Sequence, residues 1–231
     1  MAKKREIRLI ITEDGSHSLE VPELDETYHS SHGAIQESNH VFIKNGLDYW
    51  AAQNQKKKLS IFEVGFGTGL NALLTLQKGE QLNTKIDYTS IELYPLDAEL
   101  TSKLNYAEQI GVEQAVFKQL HGCVWEESIA ITSHFNLHKI KASFQEVLID
   151  TTFDIIYYDA FAPSKQPDMW KYKLMEKCFE MLNPNGVFVT YSAKGQLKRD
   201  LKQVGFMVES LQGPPGKFEM VRATKNMKNE V

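Results

Sequence analysis

Apolar and polar positions along this chain follow two periods, and the switches between them mark out its elements. Alternation every second residue, or a short unbroken apolar run, predicts a strand; apolar residues three and four apart predict a helix face. Residues 7–11 and 18–21 are β-prone runs around Glu13-Asp14-Gly15-Ser16, and Asp-Gly between such runs is a hairpin signal. Residues 23–56 are more polar and predict two helices, the second carrying Leu47, Trp50 and Ala51 at helical spacing. Lys56-Lys57-Lys58 breaks that pattern ahead of an apolar run.

From there strands and helices alternate. The pattern predicts strands at 59–64, 86–91, 137–142, 153–158 and 187–191, and helices at 70–78, 95–109, 113–131, 144–148, 171–182 and 196–204. Pro95 stands near a helix start, where a missing N–H costs little; Gly111 ends that helix, and Asn183-Pro184-Asn185-Gly186 stops another. Residues 206–210 and 219–223 predict two last strands around Gly213-Pro214-Pro215-Gly216. Five apolar strands separated by helices imply an α/β fold, with a mainly parallel sheet covered on both faces. The last two strands have no helix between them, which predicts an antiparallel strand at an edge. Ligands on such sheets bind beyond the carboxyl ends of the strands. Gly65, Glu92 and Asp159 each fall just past one such end.

Composition narrows the class. The chain has 231 residues, 42% of them hydrophobic and 24% charged, with a net charge of −4. That fits one soluble domain, or one with an N-terminal extension, and offers no global basic field for nucleic acid. Cys123 and Cys178 are the only cysteines, which excludes a disulfide framework or a multi-cysteine zinc site and suits a reducing cytoplasm. Lys3, Lys4 and Arg5 precede an apolar run too short for a signal peptide and broken by Arg8. No apolar stretch approaches the roughly 18 residues of a membrane span.

The candidate chemistry centres on Leu59-Ser60-Ile61-Phe62-Glu63-Val64-Gly65-Phe66-Gly67-Thr68-Gly69-Leu70-Asn71, a strand, a glycine turn and a helix start. Glycine lets backbone approach a ligand closely. The spacing G-x-G-x-G is neither the dinucleotide fingerprint nor a phosphate loop, and no lysine follows to hold a phosphate. Glu63, just ahead of the first glycine, suits a ligand with a cationic amino group, such as S-adenosylmethionine. Glu92, ending the next strand, is placed to accept from ribose hydroxyls. A second motif, Asp159-Ala160-Phe161-Ala162-Pro163-Ser164-Lys165-Gln166-Pro167-Asp168-Met169-Trp170, sets a carboxylate and aromatic faces on the same rim. Otherwise Asp159 is a turn residue and Trp170 part of the core. His29, His32 and His40 lack a metal-ligand spacing, so no metal site is predicted, and no G-x-S-x-G turn offers a serine nucleophile. Lys194, Lys198, Arg199, Lys202, Lys217, Arg222, Lys225 and Lys228 form a solvated basic surface or a phosphate-contacting face. These residues leave several activities open. They suit a methyltransferase or aminopropyl transferase for a small molecule, a non-catalytic nucleotide-binding module or, less well, a nicotinamide-dependent oxidoreductase.

The glycine motif and the Asp159–Trp170 motif together resemble the MnmC-type methyltransferase family. Ile91-Glu92-Leu93-Tyr94-Pro95, residues 28–42 and residues 213–223 are similar too. The resemblance implies a class I, Rossmann-like methyltransferase fold with a seven-stranded sheet. It divides the chain into an N-terminal hairpin and helical extension, 1–57, and a methyltransferase domain, 58–231. It implies S-adenosylmethionine as methyl donor, held by Glu63, Gly65, Phe66, Gly67, Gly69, Asn71, Glu92 and Asp159. The implied acceptor is the amine of 5-aminomethyl-2-thiouridine at the tRNA wobble position, in the anticodon loop. Asp159 is then the candidate base, or a ligand of the donor's amino group. Tyr28, Phe161, Pro163, Lys165 and Trp170 are candidate substrate contacts. Many family members carry a second, FAD-dependent domain that exposes the amine; by analogy a separate enzyme supplies it here. Where the family has Gly, Ala and Asn, this chain has Ala160, Ser164 and Gln166, and Lys141-Ala142-Ser143 stands where an acid is expected near the adenine.

Overall fold

The Asp-Gly hairpin forms in the computed structural model, which describes residues 6–54 and 56–226. Arg8–Ile11 (β1) pairs antiparallel with His17–Val21 (β2), and Glu26–Thr27 (β3) adds a third short strand. Lys3, Lys4, Arg5 and Lys228 lie outside the described residues.

The two helices predicted within 23–56 are one. Pro22–Leu24 makes a single 3-10 turn that cannot continue, because Asp25 turns left-handed at φ 47°. An irregular strap follows to Gly33. The helix then runs without a break through Ala34–Ser38 (α1), a π-helical stretch Asn39–Asp48 and Tyr49–Gln53 (α2). Val41, Phe42, Leu47 and Trp50 are buried in the core shared with the sheet.

The main sheet has eight strands, one more than expected. They are Lys58–Val64 (β4), Lys85–Ile91 (β5), Ser128–Ala130 (β6), Phe135–Ile140 (β7), Phe153–Tyr158 (β8), Leu182–Thr190 (β9), Met207–Gln212 (β10) and Glu219–Thr224 (β11). Their order is β10-β11-β9-β8-β4-β5-β7-β6. The five predicted apolar strands are the parallel core, β7-β5-β4-β8-β9. β6 at one edge and β11, second from the other edge, run antiparallel to their neighbours, so strand direction reverses near both edges. β6 takes the end of the helix predicted at 113–131. That helix (Gln114–Gly122, α6) stops where Cys123 turns extended, and Ile129 then pairs with Leu137.

Other differences are local. The helix predicted at 95–109 is split into Ala98–Thr101 (α4) and Tyr106–Ile110 (α5). Between them Asn105 accepts from His17 N–H and donates to Gly15 carbonyl, tying the chain to the hairpin. Residues 144–147 form a turn, not a helix, pinned by Lys177 Nζ, which donates to the Phe144 and Val147 carbonyls. Asn183-Pro184-Asn185-Gly186 does not separate helix from strand; it lies within β9, where the pairing with β8 shifts register.

Alternating residues face opposite sides, as strand geometry requires. Ile61, Ile155 and Tyr157 pack under the N-terminal helix and Leu70–Leu82 (α3). Phe62, Ile156 and Tyr158 pack under Tyr172–Met181 (α7) and Gly195–Val204 (α8). The chain runs outward from β4 through β5 to β7, then returns to β8 on the other side of β4. β4 and β8 therefore flank the switch point, where a ligand crevice opens.

Candidate functional site

Four strand tips are strapped together by backbone hydrogen bonds. Gly65 N–H donates to Ile91 carbonyl at 2.9 Å, Asp159 N–H to Val64 carbonyl at 3.0 Å, and Glu92 N–H to Ile140 carbonyl at 2.9 Å. Gly65 has a φ of +94°, and a Cβ there would stand 2.8 Å from the Asp159 carbonyl oxygen. Gly67, at φ +48°, would press a Cβ onto the Tyr28 ring at 3.1 Å. The turn is therefore built for backbone approach at both positions.

Beside it lies a cavity of about 330 Å³. Gly65, Phe66, Gly67, Asn71, Glu92 and Asp159 line it. So do Tyr28 and Phe161, whose rings meet edge to face at 5.1 Å. Glu92 accepts from Gly67 N–H at 3.1 Å and from Tyr94 N–H at 2.8 Å. Its carboxylate has lone pairs left over for hydroxyls.

Glu63 does not line the cavity. It is fully buried beneath, where its carboxyl accepts from Ser90 Oγ at 2.7 Å and from Asn71 Nδ2 at 3.1 Å. The same Asn71 nitrogen donates to Asp159 Oδ2 at 2.8 Å. One amide thus bridges two acids. Burial pushes Glu63 up to about 8, and the nearby Asp159 adds to that. Burial pushes Asp159 up to about 7; Glu37 adds to this, while the Asn71 hydrogen bond and Lys217 oppose it.

The remaining expected contacts divide. Gly69, at φ +71°, starts α3 behind Phe66 and does not line the cavity. Trp170 is 7% exposed and meets Tyr158 edge to face at 5.1 Å; its Nε1 donates to Phe161 carbonyl at 2.8 Å. It holds the loop in place and presents no free face. Pro163 and Lys165 lie off the cavity, and Lys165 pairs with Asp25 at 2.9 Å. The C-terminal basic residues are largely engaged within the chain: Lys198 with Glu219, Arg222 with Glu209, and Lys225 with the Phe179 and Leu182 carbonyls.

Part of the wall comes from residues with no local sequence signal. His29 lines the cavity, with its Nε2 at 2.6 Å from Thr68 Oγ1, and burial lowers its pKa to about 4. Glu37 and Lys217 also line it, as an ion pair between α1 and the last loop. Ala142 and Ser143 follow β7 into the cavity, so the stretch matched to the adenine region does reach the site. Among the described residues no group of three or more His, Cys, Asp and Glu is arranged to hold a metal, and no helix is long and apolar enough to cross a membrane.

A family described as S-adenosyl-L-methionine-dependent methyltransferase matches residues 111–226, half of the chain. The chain belongs to this family. The methyltransferase is 28% identical over 233 residues to a Burkholderia multivorans protein called "tRNA 5-methylaminomethyl-2-thiouridine biosynthesis bifunctional protein MnmC", covering 92% of this chain and 34% of that one. A Marinomonas protein of the same name is 32% identical over 224 residues, covering 90% of this chain and 32% of its own. The chain therefore spans about a third of the length of the curated relatives it matches. Among solved structures, MNMC2 from Aquifex Aeolicus superposes with a TM-score of 0.80 at 24% identity, covering 97% of this chain and 72% of that one. Spermidine synthase from Thermotoga Maritima gives 0.57 at 12% identity, covering 98% and 81%. Both neighbours share the fold.

The methyltransferase uses S-adenosylmethionine, and its cavity fits that donor on its own chemistry. The glycine cradle, the two-oxygen acceptor Glu92 and the buried Asn71 Oδ1, which has no partner, meet the needs of backbone approach, ribose and amino group.

Proposed function

We propose that this chain methylates the primary amine of 5-aminomethyl-2-thiouridine at the tRNA wobble position, giving the 5-methylaminomethyl nucleoside. The names of the relatives support this, as does the resemblance of the Asp159–Trp170 motif. The observation that carries the reading is Asp159: a half-buried carboxyl on the cavity wall, beside the glycine turn, with its pKa pushed up to about 7. Bound donor supplies an activated methyl group, whose bond electrons stay with sulfur as a neutral thioether. The protein supplies position and a base. Asp159 takes one proton from the acceptor ammonium. The freed nitrogen lone pair then forms the new N–C bond, so the product amine carries the positive charge and Asp159 the proton.

In this reading Gly65, Phe66, Gly67, Asn71 and Glu92 hold the donor, Gly69 shapes the turn, and Glu63 acts from beneath through Asn71. Tyr28 and Phe161 wall an extruded base, as RNA bases are commonly held on aromatic faces. Pro163 and Trp170 fix the loop, and Lys165 exchanges Asp25 for a phosphate. The described part of residues 1–57 then forms the roof of the site, and the described part of 58–231 the catalytic unit. The proposal includes the anticodon loop of tRNA as partner, a separate enzyme that unmasks the amine, and a cytoplasmic setting.

Incubation with labelled donor and tRNA carrying the aminomethyl nucleoside tests it. Label is expected in the methylaminomethyl nucleoside after digestion. Label transferred to free amines or nucleosides, and none to the tRNA, overturns the proposal in favour of a small-molecule enzyme.

A further inference from the structure

Two charged side chains on the cavity wall have no part in the steps above. Glu37 comes from α1 and Lys217 from the loop between β10 and β11, far apart in sequence. They form an ion pair, and Glu37 is only 6% exposed. The other Glu37 oxygen accepts from Ser30 N–H at 2.8 Å. Lys217 Nζ lies 3.9 Å from the centre of the Tyr191 ring. Tyr191 OH in turn donates to the carbonyl of Ala160, next to Asp159, at 2.8 Å. Ser30, Glu37, Asp159, Ala160, Tyr191 and Lys217 all face one cavity.

We propose that Glu37 and Lys217 govern proton acceptance by Asp159 and are positioning residues of the methyl-transfer site. The proposal rests on Asp159 being the base. An alkyl amine holds its proton several pH units more tightly than an ordinary carboxylate does. A base that is to relieve it of that proton works better the closer its own affinity comes. An anion beside the base raises that affinity, and a cation lowers it. Glu37 and Lys217 act on Asp159 with those opposite signs, Glu37 more strongly. Glu37, whose side chain is only 8% exposed, is felt at greater range than a surface charge would be. The pair also joins the N-terminal roof to the last loop.

Other groups face Asp159 as well. Glu63 on β4 reaches it through Asn71, and Tyr88 on β5 lies beneath. Tyr191 follows β9, and His29, Glu26 and Glu92 lie around the cavity. All of these stay unchanged when the pair is altered, so shifts of opposite sign trace to the pair.

The test is a carbon-13 titration of the Asp159 carboxyl in donor-free full-length protein, its signal assigned by its absence from Asp159→Asn. Glu37→Gln should lower the midpoint by about one pH unit and Lys217→Met should raise it by a smaller amount. Lys217→Arg should leave it in place, and the Glu37→Gln/Lys217→Met double variant should bring it back to between the Glu37→Gln value and the parent's. The acid limb of kcat/KM for methyl transfer should move with these midpoints. Midpoints that stay put, or that move the same way in both single variants, overturn the role of the pair. Midpoints that move while the acid limb does not overturn Asp159 as the base instead.

Discussion

Asn71 donates from one amide nitrogen to two acids, and its own oxygen is buried without a partner. A buried acceptor left alone is costly unless a bound group donates to it. Asp159→Asn keeps an oxygen for Asn71 to donate to, so the fold should survive. The base is lost, and turnover should fall about 10²–10⁴-fold, measured as methyl transfer at saturating donor. Turnover within a few fold of the parent's would end the catalytic role of Asp159. Glu92 separates donor binding from chemistry. It faces the cavity with both oxygens already accepting backbone N–H groups. Glu92→Ala removes the acceptor for the ribose hydroxyls and should weaken donor binding about 10–100-fold, since bonds to a charged group contribute roughly 1.5–3 kcal/mol each. Calorimetry of donor alone reads this, and an unchanged affinity contradicts the ribose assignment.

At the scale of elements, the strand-to-helix turn is the tightest part of the site. An added Cβ at Gly65 would meet backbone, the Asp159 carbonyl at 2.8 Å, and would need a positive φ besides. Neither strain is relieved by a side-chain rotation. Gly65→Ala should part the tips of β4 and β8, lowering the melting temperature and abolishing donor binding together. Donor affinity kept at the parent's level would show that the turn has slack. This turn was legible in the sequence because glycine spacing, strand ends and acids are local signals. The five parallel strands were legible for the same reason. β6 was not: Trp125, Ile129 and Ile131 fit a helix face or a strand equally well, and only pairing with β7 decides. Nor was the roof. Glu37 and Lys217 meet only because the helix from α1 to α2 packs on the sheet and the last loop folds over it. Trp170 misled for a related reason: an aromatic on a rim loop reads as exposed, whereas its indole is drawn inward by Tyr158 and the Phe161 carbonyl.

Across the whole molecule, four buried or half-buried groups hold protons differently in the folded and unfolded chain. Burial raises Asp159 from 3.8 to about 7 and Glu63 from 4.5 to about 8. It lowers His29 and His121 from 6.5 to about 4. At mildly acidic pH the folded acids keep protons that the unfolded chain has released, so their share of stability falls as pH rises. The unfolded histidines hold protons that the folded ones reject, so their share rises with pH, and the two trends offset one another up to about pH 6.5. Above that pH the histidines are neutral in both states and only the acids still differ. Folded protein then binds more protons than unfolded, and these two groups make stability fall until pH passes the higher of their folded values, about 8. A Glu63→Gln/Asp159→Asn variant lacks both groups. Its melting temperature should therefore gain on the parent's between about pH 6.5 and 8, by roughly 2–4 °C for each kcal/mol of relief. Parallel melting curves for parent and variant over that interval would mean that the two acids are not held protonated in the fold. Asp159 would then be an ordinary ionised carboxylate at neutral pH, too weak a base to take a proton from an alkyl ammonium.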